Sequence, residues 1–200
     1  GSSFDPNTRT FTWTPSYTDS GTYTLVHFEV SDGTLTDSED ITITVNNVNR
    51  APILGAIGNQ IVNEGNLLTF TVGGDDPDGD AVTFSSTSLP FGALFDTLTK
   101  IFTWTPDFSQ AGNYTPTFSI SDGSLNDSEI VSIDVGNVNQ TPSLGTIGNK
   151  TGDNAINEEE AFTFTASASD ADGDSTTFSL SGSMPTGASI DSNTGVFSWT

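Results

Sequence analysis

The chain has 200 residues, with 26 acidic side chains against four basic ones, a formal charge of −22, no cysteine and one histidine. That balance repels phosphate backbones and removes the main source of nucleic-acid affinity, and the lack of thiols excludes disulfides, Cys-based zinc sites and a thiol nucleophile. No apolar run approaches the roughly 18 residues of a membrane span and neither end reads as a signal peptide, while 20 Gly and 9 Pro with abundant Ser and Thr argue against helices.

Internal repetition organises the rest. Phe11-Thr-Trp-Thr-Pro15 returns as Phe102-Thr-Trp-Thr-Pro106 and again as Phe197-Ser-Trp-Thr200. Ser31-Asp-Gly33 returns as Ser121-Asp-Gly123, Asn47-Val-Asn49 as Asn137-Val-Asn139, and Ile57-Gly-Asn59 as Ile147-Gly-Asn149. The offsets of 90–95 residues match one small β-domain. The phase places the second half of one repeat at 1–49, a complete repeat at 50–141 and the first half of another at 142–200. Two expectations follow: a window of a longer tandem array, or half-repeats completed by neighbouring identical chains, as in a filament.

Within the middle repeat, alternation at period two predicts strands near 53–62, 67–73, 81–87, 93–96, 101–105, 113–120 and 128–136. Leu68, Phe70 and Val72 face one way, as do Phe102 with Trp104 and Pro116 with Phe118 and Ile120; Thr, Ser, Asp and Glu alternate with them. Seven short strands in about 92 residues predict an all-β immunoglobulin-like sandwich. An antiparallel sandwich alternates its turns between two ends. The turns at 76–80 and 121–123 therefore share the end at which the chain enters, and the turn carrying Glu64 lies at the opposite end, where the chain leaves.

Asp76-Pro-Asp78-Gly-Asp80 reappears as Asp170-Ala-Asp172-Gly-Asp174. Carboxylates crowded at one end repel unless a cation lies among them, and hard oxygen donors without His or Cys suit Ca2+ rather than a transition metal. The spacing is not that of an EF-hand loop. The alternative is a solvated turn rich in good turn residues.

Taken together, Phe-Thr-Trp-Thr-Pro, Gly112-Asn-Tyr-Thr115, Ser121-Asp-Gly123, Asn137-Val-Asn139, Asn63-Glu-Gly65 and the acidic turn resemble the cadherin-like and putative-Ig tandem repeats of prokaryotic surface proteins, including the dystroglycan-type cadherin-like modules. The resemblance covers the whole chain. It implies calcium between successive repeats, held at the first junction by Asn47, Asn49, Asp76, Asp78 and Asp122. At the second junction it implies Glu64, Asn137, Asn139, Asp170 and Asp172. The acidic linker position of cadherins is Val48 and Val138 here, which favours a set confined to the acidic and Ser-Asp-Gly turns, with Asp80 or Asp174 joining.

Other residues read as structural. His27 lies outward on a strand, and Trp13, Trp104 and Trp199 alternate with Phe so as to point into the core. Leu94 is an isolated exposed apolar residue, and Glu158, Glu159 and Glu160 form a solvated turn. The triplets at Asn113, Asn126, Asn139 and Asn149 match the glycosylation pattern, as chance allows in so Ser/Thr-rich a chain.

Every polar cluster is duplicated or lies on an outward strand face, so no catalytic constellation is expected and the chain reads as a non-enzyme. The expected function is a structural, extracellular, calcium-stiffened stalk, adhesin arm or filament segment at a cell surface, whose partners are neighbouring repeats and identical chains. The alternative is a glycan- or protein-binding accessory module of a large secreted protein or enzyme, which would show an exposed aromatic patch; the sequence shows none.

Overall fold

The alternating segments form strands throughout. The computed structural model describes residues 1–147 and 158–200, and all the regular elements among them are β-strands. The Asn149 triplet lies outside the described residues. Residues 1–49 contribute β1 (Ser3–Asp5), β2 (Thr10–Thr12), β3 (Gly21–Ser31) and β4 (Thr36–Val45). The middle repeat opens with β5 (Ile53–Leu54), β6 (Gln60–Asn63), β7 (Leu68–Thr71), β8 (Gly74–Asp75) and β9 (Thr83–Thr87). It continues with β10 (Leu94–Asp96), β11 (Ile101–Trp104), β12 (Gly112–Tyr114), β13 (Thr117–Ser121), β14 (Asn126–Ile130) and β15 (Ile133–Gly136). The described residues after 141 supply β16 (Ser143–Leu144), β17 (Phe162–Thr165), β18 (Ala168–Ser169), β19 (Ser189–Ile190) and β20 (Val196–Trp199).

Two compact units form: residues 1–54, 74–83 and 120–127 make the first, and residues 55–73, 84–119 and 128–200 the second. In the first unit β1 pairs with β2, Phe4 opposite Phe11, and the β3–β4 hairpin shifts register between Tyr23 and Val26, a bulge at which Leu25 takes φ 59°. The β5–β8 pair lies in the same unit and leads into the acidic turn at 76–80.

In the second unit one sheet has the order β10–β11–β7 and another β12–β15–β6. β15 runs antiparallel to β12 and parallel to β6. Phe102 stacks on Phe70 with ring centroids 4.7 Å apart, and Phe118 meets both edge-on at 5.8 and 5.5 Å. Full burial of such side chains contributes about 1.5–3 kcal/mol each, and each ring pair about 0.5–1.5 kcal/mol more. The stacked pair recurs in the last repeat as Phe164 on Phe197, at 4.8 Å. Trp104 is buried, as its alternation with Phe102 predicts, and its Nε1 donates to the Phe91 carbonyl. The molecule is an all-β tandem array of immunoglobulin-like sandwich repeats.

Three predicted strands are broken. The segment 53–62 divides into β5 and β6, 113–120 into β12 and β13, and 128–136 into β14 and β15. Pro116 has no N–H to give a ladder, and its carbonyl accepts from Val131 N at 2.9 Å where the facing strand is broken too. These breaks let β6 lie along β15 through Gly136↔Asn63, so that Glu64 N donates to the Gly136 carbonyl just before the Asn-Val-Asn linker.

Candidate metal centre

Both acidic turns are built alike. Asp76 Oδ1 accepts the N–H of Asp78 at 2.7 Å and of Asp80 at 3.3 Å, and Asp170 Oδ1 accepts the N–H of Asp172 at 2.9 Å. Gly79 and Gly173 sit at φ 80° and 79°, a conformation that favours glycine, and each N–H returns to the carbonyl of the first Asp. The first Asp thus shapes the turn with one oxygen. The second Asp reaches back to the linker.

At the first junction Asp78 Oδ2 accepts the N–H of Arg50 at 2.7 Å. Its Oδ1 accepts from Arg50 Nε at 2.8 Å and lies 2.7 Å from Nη2 in an ion pair. Arg50 Nη2 also donates to the Pro77 carbonyl, and the guanidinium lies 5.0 Å from the centre of the Tyr17 ring. Asp78 is 5% exposed and Arg50 29%. The Arg50 guanidinium, with the Arg50 N–H, holds the Asp78 carboxyl below the usual carboxylate range, against a smaller opposing effect of burial and of the Asp122 charge. Asp76 Oδ2 remains buried without a partner.

Asp122 Oδ1 accepts from Ser124 N and Leu125 N within its own turn, while its Oδ2 accepts from Asn49 Nδ2 at 2.8 Å. The Leu125 N–H, then the Asn49 side chain, lowers the Asp122 pKa. The linker meets the 121–123 turn through Asn49, and the residue after it, Arg50, meets the 76–80 turn. Asn47 is exposed.

The second junction repeats the backbone and changes the side chain. Gln140, the counterpart of Arg50, donates its N–H to Asp172 Oδ2, but its carboxamide turns to the Val138 carbonyl at 2.9 Å. Asp172 Oδ1 is left buried with no hydrogen-bond partner. Carboxylate oxygens of Asp170, Asp172 and Asp174 lie within 4.8 Å of one another, the one such group among the described residues. Asn139 Nδ2 donates to the Gln140 carbonyl, and Asn137 is exposed.

Glu64 stands outside that group. It is 2% exposed; Oε1 accepts from Gln110 N and Oε2 from Val138 N, both at 3.0 Å. Its carboxylate ties the linker to the body of the sandwich. The donor set that fits a hard cation is Asp170, Asp172 and Asp174, because the buried, partnerless Asp172 Oδ1 and two further carboxylates offer oxygen ligands alone.

The residue that sequence reasoning missed is Arg50. Its signal was available: it is one of only four basic residues and directly follows the linker. His27 is exposed as predicted and bonds Asp40 through Nδ1 at 2.7 Å. Leu94 is exposed as expected, at 69%, and Phe91 and Leu98 are exposed as well, at 87% and 90%.

The chain is similar in fold to cadherin ectodomains. Human protocadherin-24 EC1-2 (form II) is 19% identical over 74% of this chain and 79% of that one, with a TM-score of 0.45. The protocadherin GammaB4 extracellular domain is 18% identical over 86% and 33%, also at 0.45. An endo-fucoidan hydrolase of glycoside hydrolase family 107 is 26% identical over 64% of this chain, at 0.39, and the chain spans only 20% of its length. No curated protein matches. No described helix is long and apolar enough to cross a membrane. The family described as putative Ig domain (He_PIG) matches residues 1–46, 51–136 and 145–200, and the chain belongs to that family.

Proposed function

We propose that the chain is a non-catalytic, extracellular structural module whose repeats are stiffened by calcium at a junction. The observation that carries this reading is the convergence of Asp170, Asp172 and Asp174 beside the linker, with Asp172 Oδ1 buried and unpartnered. A bound Ca2+ supplies positive charge and several oxygen-coordination positions there. Asp172 accepts the Gln140 N–H, so the group that would ligate the ion also fixes the exit of the linker.

The magnitude is adequate. Extracellular calcium modules bind at about 0.1–1 mM, and an ion at a hundred times its dissociation constant adds about 2.7 kcal/mol to the bound state. Against a domain stability of roughly 5–15 kcal/mol that is substantial. In this reading the array is a stalk, adhesin arm or filament segment of a surface protein, with neighbouring repeats or identical chains as partners. Calcium should raise the melting temperature and narrow the spread of end-to-end distances in small-angle scattering; identical curves in calcium and in chelator would contradict stiffening.

A second reading, an accessory module that docks a glycan or protein, is favoured by Phe91, Leu94 and Leu98, whose counterparts in the last repeat are Thr186, Ser189 and Asn193. Loss of carbohydrate or protein retention on Phe91→Ser would support it.

A further inference from the structure

We propose that Arg50 is the tethered cation of the first junction, and that the residue after each Asn-Val-Asn linker decides whether the junction is closed by the chain's own guanidinium or by a metal ion. The metal half of this statement rests on the reading above; the guanidinium half does not. The correspondence is atom for atom. The Oδ2 of Asp78 and of Asp172 each accept the N–H of the residue following the linker. The Oδ1 of Asp78 takes the Arg50 Nε–H and is ion-paired with Nη2, whereas the Oδ1 of Asp172 is buried without a hydrogen-bond partner and the Gln140 carboxamide bonds Val138 instead.

Arginine suits the task. Its guanidinium stays charged at every accessible pH, and its planar fork can meet a carboxylate and a carbonyl together. Here it meets Asp78 and the Pro77 carbonyl while lying over Tyr17, which belongs to the preceding repeat. A guanidinium carried by the chain has no mass-action dependence, so this junction keeps its closure at any calcium concentration. A junction closed by a free ion follows the concentration of that ion. The array would then loosen at one junction and hold at the other when calcium falls. Asp76 Oδ2, also unpartnered, shows that the guanidinium satisfies the second Asp of the turn and not the first.

The test uses the 200-residue chain and the variants Arg50→Gln, Arg50→Lys and Gln140→Arg, by calorimetry with and without CaCl2. In chelator, Arg50→Gln should lower the melting temperature of its transition by about 4–8 °C, Arg50→Lys by less, and Gln140→Arg should raise that of the other. In calcium titrations Arg50→Gln should gain a binding event and Gln140→Arg should lose one. Equal melting of wild type and Arg50→Gln in chelator would overturn the proposal. So would a calcium stoichiometry unchanged by both variants while wild type binds. If wild type binds no calcium but the chelator shifts occur, the tethered cation stands and the calcium reading alone fails.

Discussion

The turns at 76–80 and 170–174 have one backbone and two ways of meeting their charge. In both, the first Asp caps the turn, a glycine reverses it and the second Asp takes the linker N–H. Among the described residues, only the first has a cationic side chain on the remaining oxygen. The difference teaches that a repeated acidic motif is not a repeated site. A single side chain outside the motif pairs with the second Asp at one junction, and its counterpart at the other leaves that Asp's Oδ1 unpartnered.

Loss of Glu64 should cost the second junction most. Glu64→Ala removes a buried carboxylate that receives two backbone N–H groups, one from the linker itself. Each stranded donor costs about 1–3 kcal/mol, so chemical denaturation should show a loss of about 2–6 kcal/mol, with calcium unable to restore it. Next, Asp172→Asn should abolish the calcium-dependent part of the stability, up to about 2.7 kcal/mol at a hundredfold excess of ion, while Asp78→Asn should leave the calcium response in place. A calcium response lost equally in both would erase the distinction between the junctions.

Acid sharpens the comparison further. Asp78 and Asp122 have pKa values below the ordinary carboxylate value in the folded chain, through Arg50 for the former and chiefly the Leu125 N–H for the latter. A group so depressed contributes stability that is complete above its unfolded pKa of about 4 and is lost as pH falls through the lower folded value. Stability in chelator should therefore fall below about pH 4, and Arg50→Gln should flatten the Asp78 share of that fall. The smallest effect belongs to His27→Ala, which removes an exposed bond to Asp40 and should change stability by no more than about 0.5 kcal/mol.

The fold is largely legible because period-two alternation reports the inward face: Phe102, Trp104 and Phe118 are buried as their pattern implies, while Phe11, Trp13 and Trp199 are half-buried. The strand breaks are not legible, because the division at Pro116 and the parallel run of β6 beside β15 depend on long-range pairing that no local pattern encodes. The acidic turns were visible by composition and spacing. Arg50 was not weighed, because counting carboxylates against one another leaves out the neighbour that neutralises one of them. The resemblance points Glu64 toward a metal; in the fold its two oxygens accept the Gln110 and Val138 N–H groups, a role that only the folded turn defines.

The most direct measurement is a calcium- or lanthanide-soaked crystal of the chain, with anomalous maps computed around both acidic turns. The account predicts a strong peak about 2.3–2.6 Å from carboxylate oxygens of Asp170, Asp172 and Asp174, and none beside Asp78 Oδ1, where the Arg50 guanidinium remains. Peaks of equal strength at both turns, or at neither, would contradict it.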